Sequence, residues 1–167
     1  MCPVTGPVVR RVSVIVTVKN EAATIDALLA SVAGQTRLPD EVIVVDGGTS
    51  VGTGERVAAW SDRLPLLLTI MPGAGIAAGR NRALAEARGE IVAVTDAGVR
   101  LDPDWLRCLI APFSSPAKAA PDVVGGFFRG DPQTFFGQGL AATTLPGVDE
   151  VDPSRFLPSS RPAALRR

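Results

Sequence analysis

No histidine occurs in the 167 residues. Ser-His-Asp and Cys-His catalysis are therefore excluded, and the commonest zinc ligand is missing. Proton transfer falls to carboxylates, lysine or bound water. Cysteine is nearly absent too: Cys2 stands at the terminus and Cys108 in an expected helix, with no Cys/His cluster of zinc-site spacing. An excess of either charge is also lacking, since 17 Lys+Arg balance 17 Asp+Glu. That removes the electrostatic case for a nucleic-acid partner, which leaves a basic excess or stripe. No apolar run approaches the roughly 20 residues needed to cross a bilayer, and residues 1–11 lack the apolar stretch of a secretory signal. Together these absences point to the reducing cytoplasm, with any attachment to the inner face of a membrane left to a longer parent chain.

What is present suits one packed domain: 46% hydrophobic and 20% charged residues. Residues 12–18 (VSVIVTV) form a β-branched run whose near-continuous hydrophobicity fits a buried parallel strand. After Lys19-Asn20-Glu21, Ile25, Leu28, Leu29 and Val32 recur on one helical face, capped by Asn20 or Thr24 and stopped at Gly34. Residues 41–46 (EVIVVD) are a second strand, closed by the tight turn of Gly47 and Gly48. A weakly periodic helix is expected over 53–60, a third strand over 66–71 and a helix over 76–88 closed by Gly89. A fourth strand, 91–95, runs into Asp96-Ala97-Gly98. Asp102-Pro103-Asp104-Trp105 starts another helix, with Asp102 as the cap and Trp105, Leu106, Leu109 and Ile110 on its apolar side. Ser114 to Pro121 marks a boundary, Asp122 to Arg129 is a further strand candidate, and Pro146 to Arg167 is expected to be irregular.

Alternating strands and helices predict an α/β fold: an open, mostly parallel sheet with helices on both faces. Ligands of such sheets bind beyond the C-terminal strand ends, where strand order reverses. Lys19, Asn20 and Glu21 fall there after the first strand, Asp46 with Gly47 and Gly48 after the second, Gly73 and Gly75 after the third, and Asp96 after the fourth. The acids of the second and fourth strands are expected to share one pocket. A strand-end carboxylate accepts hydrogen bonds from a base or ribose, while a helix N-terminus and Arg80 hold phosphate oxygens. The nicotinamide-type fingerprint is missing, because the first turn reads KNEAAT with no glycine.

Three stretches resemble family 2 glycosyltransferases of the GT-A fold: 12–32 (VSVIVTVKNEAATIDALLASV), 41–53 (EVIVVDGGTSVGT) and 75–106 (GIAAGRNRALAEARGEIVAVTDAGVRLDPDWL). The resemblance covers about residues 12–110. It implies a Rossmann-like GT-A sheet and inverting transfer from a nucleotide-diphosphate sugar, a UDP-sugar favoured, to a sugar or lipid acceptor hydroxyl. It implies that Glu21 and Asp46 contact the base or ribose, that Arg80 reaches the base or diphosphate with Asn81 in support, and that Asp96 faces the ribose or a metal–diphosphate centre. The metal would be Mg or Mn, with Asp96 its ligand. Two positions depart from the family pattern: Ser50 replaces the last acid of the second turn, and Gly98 the acid that usually binds the metal, leaving Asp102 or Asp104 as substitutes. The family's acidic E-D motif, which supplies the general base, is not found before Arg167. The chain is accordingly expected to be a donor-binding part: residues 1–11 an extension, 12–113 the nucleotide-sugar-binding domain and 114–167 the start of the acceptor side.

Plainer roles stand beside these. Asp46 and Asp96 each suit a turn, Glu21 the first turn of a helix, and Arg80 a surface ion pair. Trp60 and Trp105 read as core, Cys108 as a small buried hydrophobe and Lys19 as a solvated turn charge. Two other functions compete: a non-catalytic nucleotide-binding module, and a nucleotidyltransferase, which usually carries a glycine-rich basic loop that the first turn here lacks.

Overall fold

The computed structural model describes residues 10–48, 52–114, 121–130, 152 and 163–167. Four strand–helix units run along the chain: β1 (Val12–Val18), α1 (Ile25–Ala33), β2 (Glu41–Asp46), α2 (Thr53–Ala58), β3 (Leu66–Ile70), α3 (Ile76–Glu86), β4 (Ile91–Asp96) and α4 (Trp105–Ile110). A 3-10 turn, Ala111–Ser114, extends α4, and two short strands follow, β5 (Val123–Gly125) and β6 (Ala163–Arg166). The six strands form one sheet in the order β3-β2-β1-β4-β6-β5. β1 pairs in parallel with β2 and β4, and β2 with β3, whereas β6 runs antiparallel to both β4 and β5.

The two-residue period of the strands divides the core between two faces. Val12, Val14, Val16 and Val18 of β1 join Ile25, Leu28, Leu29 and Val32 of α1, Val57 of α2, and Leu106 and Leu109 of α4. On the opposite face Ile15, Ile43, Val45, Val92 and Val94 meet Ala83 and Ala87 at the end of α3. Each fully buried Val, Leu or Ile contributes about 1.5–3 kcal/mol. The four periodic residues of α1 are all buried, so burial of one face holds that helix against the sheet.

α3 lies close to β1 because position 79 is glycine. A Cβ there would sit 3.0 Å from Thr17 Cγ2 and 3.6 Å from Val45 Cγ1. Glycine inside a helix costs roughly 1 kcal/mol against alanine, and the close approach that offsets it brings α3 over the C-terminal ends of the strands.

Several local expectations need correction. α3 stops at Glu86, with Ala87 already extended, rather than running to Arg88. Gly89 serves packing instead of capping: a Cβ there would lie 2.6 Å from the Ser13 backbone nitrogen, and its amide donates to Ser13 Oγ at 2.8 Å. α2 ends at Ala58. The first turn of α1 is capped in position by Thr24, whose hydroxyl turns back to Glu21 Oε2 at 2.6 Å, while Asn20 takes a left-handed φ of 59°. The N-cap of α4 is Asp104, not Asp102, and the Asp104 carboxylate accepts from Thr36 Oγ1 at 2.7 Å. β5 spans three residues instead of the whole 122–129 stretch.

The largest correction concerns the tail. Residues 163–166, expected to be irregular, form β6, hydrogen-bonded between β4 and β5. Ala164 is fully buried opposite Ala93, in the same core cluster as Phe113. Four residues are too few to show a period, and this strand is specified by its two partners rather than by its own pattern. The rest of the stretch from Pro146 lies outside the described residues apart from Asp152 and Arg167. Among the described residues no helix is long and apolar enough to cross a membrane.

Candidate functional site

Strand order reverses at β1: the chain steps outward through β2 and β3, then returns to β4 on β1's other side. The crevice of an open sheet lies at that point, past the C-terminal ends of the strands. A cleft of about 430 Å³ occupies it, lined by Thr17, Val18, Lys19 and Glu21 at and just past the end of β1, Gly47 after β2, Ala74 to Ile76 at the start of α3, and Asp96 to Val99 at and just past the end of β4. That volume is in the range of small-molecule sites, roughly 300–1,000 Å³.

Asp96 is one-quarter exposed, and its Oδ1 accepts from Arg80 Nη2 at 2.8 Å. The register explains the pair. Asp96 lies beside Thr17, on the sheet face that α3 covers, and Arg80 follows Gly79 in α3 at the point of closest approach. Glu21 is held on the opposite lip. Its backbone amide donates to the buried Thr53 Oγ1 at 3.2 Å, its carbonyl accepts from the amides of Thr24 and Ile25, and its carboxylate accepts from Thr24. The floor includes Gly47, where a Cβ would come within 2.7 Å of the Ala74 carbonyl oxygen, so no larger residue fits.

Asp46 is not in this cleft. It pairs in register with Val18, on the face opposite that of Asp96, and lines a second, open hollow of about 560 Å³ with Gly48, Gly54, Glu55, Ala58, Leu68, Ile70 and Pro72. It is 3% exposed, and its Oδ1 accepts from the Gly48 amide at 3.0 Å. The expectation that the acids ending β2 and β4 share a pocket therefore fails, although both stand at the same rim. Adjacent glycines border the two hollows, Gly47 lining the first and Gly48 the second. Asn81 is exposed on α3 and lines neither.

Lys19, set at the rim by the sequence but given no role beyond a solvated turn charge, lines the cleft. Its position directly after β1 was the available signal. What brings it in is the chain's path across Gly47: a Cβ at that glycine would lie 3.6 Å from Lys19 Cδ. The buried Gln35 was missed. It is 6% exposed and ties the end of α1 to the segment after the cleft, with Nε2 donating to the Asp102 carbonyl at 2.7 Å and Oε1 accepting from the Leu106 amide at 2.9 Å. Ser31 Oγ accepts from the Leu101 amide at 3.1 Å beside it. Trp60 acts structurally, donating to Asp26 Oδ1 at 2.9 Å under the Arg63 guanidinium, and Trp105 packs against the core. Cys108 is half-buried.

Several carboxyls away from the cleft are shifted. Burial pushes the Glu41 carboxyl up, but hydrogen bonds from the Ser13 hydroxyl and the Arg88 and Gly89 amides, with Arg11 nearby, leave it below its ordinary value. Asp40 follows the same pattern: burial raises it, and Arg37 and the Val12 amide lower it further than burial raises it. Both stand at the opposite end of the sheet from the cleft, where they fix the starts of β1 and β2.

The described side chains do not form a closed site for a divalent metal. Among the described residues no three His, Cys, Asp or Glu side chains gather to hold one. Asp96 already binds a guanidinium, and a Cβ built on Gly98, where the second acid would stand, meets nothing within 4 Å. A divalent cation here would draw most of its oxygen ligands from water and a diphosphate rather than from the protein.

An open, mostly parallel sheet with a cleft at its switch point defines a Rossmann-like α/β protein, and its structural neighbours are GT-A glycosyltransferases. The chain belongs to glycosyl transferase family 2, whose family model matches residues 13–150. Validoxylamine A glucosyltransferase of Streptomyces hygroscopicus subsp. limoneus is 30% identical over 125 residues, 72% of this chain and 27% of that protein. The mannosyltransferase PcManGT of Pyrobaculum calidifontis, solved with GDP-Man and Mn2+, is 35% identical with a TM-score of 0.60, over 64% of this chain and 33% of that one. S. aureus TarS 1–349 in complex with UDP-GlcNAc is 30% identical with a TM-score of 0.58, over 75% and 38%. The chain thus spans less than a third of the length of the first curated relatives, 27% and 29%.

Proposed function

We propose that this chain is the donor-binding part of an inverting glycosyltransferase. The cleft at the β1/β4 switch point takes the nucleoside diphosphate of an activated sugar, and the sugar passes to a hydroxyl of a sugar or lipid acceptor. The observation that carries this proposal is the convergence of Lys19, Glu21, Asp96 and the start of α3 on one cleft of nucleotide size. Glu21 accepts hydrogen bonds from the base or ribose. Asp96, oriented by Arg80, accepts from ribose hydroxyls. The backbone amides opening α3 favour the diphosphate. Asp46 acts indirectly, holding the turn whose Gly47 floors the cleft. The reaction is a single displacement: the acceptor hydroxyl gives its proton to a general base outside this cleft, and its oxygen bonds to the anomeric carbon as the bond to the diphosphate oxygen breaks, inverting that carbon. Within the cleft Asp96 is engaged by Arg80 and Glu21 by Thr24, so the general base is assigned to neither.

Support for a nucleotide-sugar donor also comes from relatives solved with UDP-GlcNAc and GDP-Man; a UDP-sugar is the favoured donor. The half-buried thiol of Cys108 suits the reducing cytoplasm proposed as its compartment. Calorimetric titration with UDP and GDP tests the reading. Saturable binding that weakens in Asp96→Asn supports it, and failure of both nucleotides to bind refutes it. Binding with neither transfer nor donor hydrolysis favours the second reading, a non-catalytic nucleotide-binding module, to which the Gly98 position also points.

A further inference from the structure

We infer that Lys19 holds the donor's diphosphate in this cleft and that no divalent cation is needed to bind it. The inference rests on the donor-site proposal and specifies how that site balances charge. A diphosphate brings at least two negative charges into a cleft that already carries the carboxylates of Glu21 and Asp96. Three observations indicate where the opposing charge comes from.

Asp96 is matched internally. Its Oδ1 sits 2.8 Å from Arg80 Nη2, and both side chains are only about one-fifth to one-quarter exposed, at 20% and 24%. That pair makes the β4 lip close to neutral towards an anion, the condition that a metal otherwise creates. The described residues also offer a metal few oxygen ligands of their own at this lip. The turn after Asp96 continues as Ala97-Gly98, with open space around a Cβ at Gly98, and no three-ligand group gathers among the described residues.

Lys19, finally, lines the cleft from the β1 lip. Its stem passes over Gly47, with Cδ 3.6 Å from where a Cβ would stand, and it makes no ion pair among the described residues. Gly47 admits no side chain because of the Ala74 carbonyl, so the floor stays low beneath the lysine and leaves the anion room to approach. An ammonium is a compact point charge with three donors, suited to phosphate oxygens.

The test is calorimetric titration of the full 167-residue chain with UDP and GDP, in EDTA and again in manganese chloride. The wild-type chain is expected to bind one of them in EDTA, with a dissociation constant within about threefold of that in manganese. Lys19→Met is expected to weaken nucleoside diphosphate binding about tenfold or more while leaving the corresponding nucleoside within about twofold. Lys19→Arg is expected to restore most of the loss. Lys19 is exposed, so neither substitution endangers folding. Gly98→Asp, placed in open space, is expected to make binding respond to manganese. Binding by the wild-type chain only with manganese, or unchanged binding by Lys19→Met, overturns the inference and leaves the donor site standing. Failure of both nucleotides in both buffers overturns the donor site itself, and this inference with it.

Discussion

Replacing Gln35 with methionine removes a hub between α1 and the segment that carries the cleft's β4 lip. The side chain is 6% exposed. Its Nε2 donates to the carbonyls of Ser31 at 3.0 Å and Asp102 at 2.7 Å, and its Oε1 accepts from the Leu106 amide at 2.9 Å. Methionine conserves the volume, so no cavity term enters and the loss is one of hydrogen bonds alone. Each net bond contributes about 0.5–1.5 kcal/mol, and the Leu106 amide, left without its partner in the interior, adds to the cost. The sum is roughly 3 kcal/mol, a fall in Tm of about 6–12 °C for a domain of this size. Urea unfolding followed by tryptophan fluorescence measures it, with Thr36→Val as the control. That substitution removes an exposed hydroxyl bond to Asp104 and should cost no more than about 1 kcal/mol. A loss below about 1 kcal/mol in Gln35→Met, at unchanged denaturant slope, refutes the claim that this side chain pins the two segments together.

Three further outcomes are expected. Gly79→Ala gains helix propensity but drives a methyl to 3.0 Å from Thr17 Cγ2; overpacking of about 1–3 kcal/mol against a gain of roughly 1 kcal/mol leaves a net loss of about 0–2 kcal/mol. A scanning calorimetry trace with a raised Tm contradicts this. Glu41 and Asp40 have folded-state values below their ordinary ones, so each contributes stability that is present above the ordinary carboxylate range and lost as pH falls through the lower folded value. Glu41→Gln should therefore flatten the acid side of the stability profile, and urea midpoints from about pH 6 down to about pH 3 that keep the wild-type slope would speak against it. Asp96→Asn removes the charge facing Arg80 in a largely buried pair, so it should cost about 1–3 kcal/mol of stability while weakening nucleoside diphosphate binding about tenfold; equal affinity by calorimetry removes Asp96 from the site.

Much of the site's position was legible before any coordinates. Four apolar runs ending in Lys19-Asn20-Glu21, Asp46, Met71 and Asp96 locate the strand ends, and the switch-point rule then places these residues at one rim. Which face each acid takes was not legible. Side chains alternate along a strand, so a one-residue change in register sends a carboxylate to the other face. Val18 pairs with Asp46, but its neighbour Thr17 pairs with Asp96, and the two acids part. The same limit hid Gln35, whose partners lie 67 and 71 residues away, and gave no warning that Gly89 serves a contact with Ser13 rather than a helix end.

The sequence by itself determined the alternation of strands and helices, the parallel sheet and the identity of the residues at its rim, because hydrophobic period and strand-end chemistry are local properties of the chain. Tertiary structure alone decided that Asp96 faces Arg80, that Asp46 turns to a separate hollow, that Lys19 enters the cleft and that Ala163–Arg166 becomes an inner strand. Each depends on which strands pair, in what register, and how closely α3 settles onto β1, and those are fixed only when segments distant in the chain share one core.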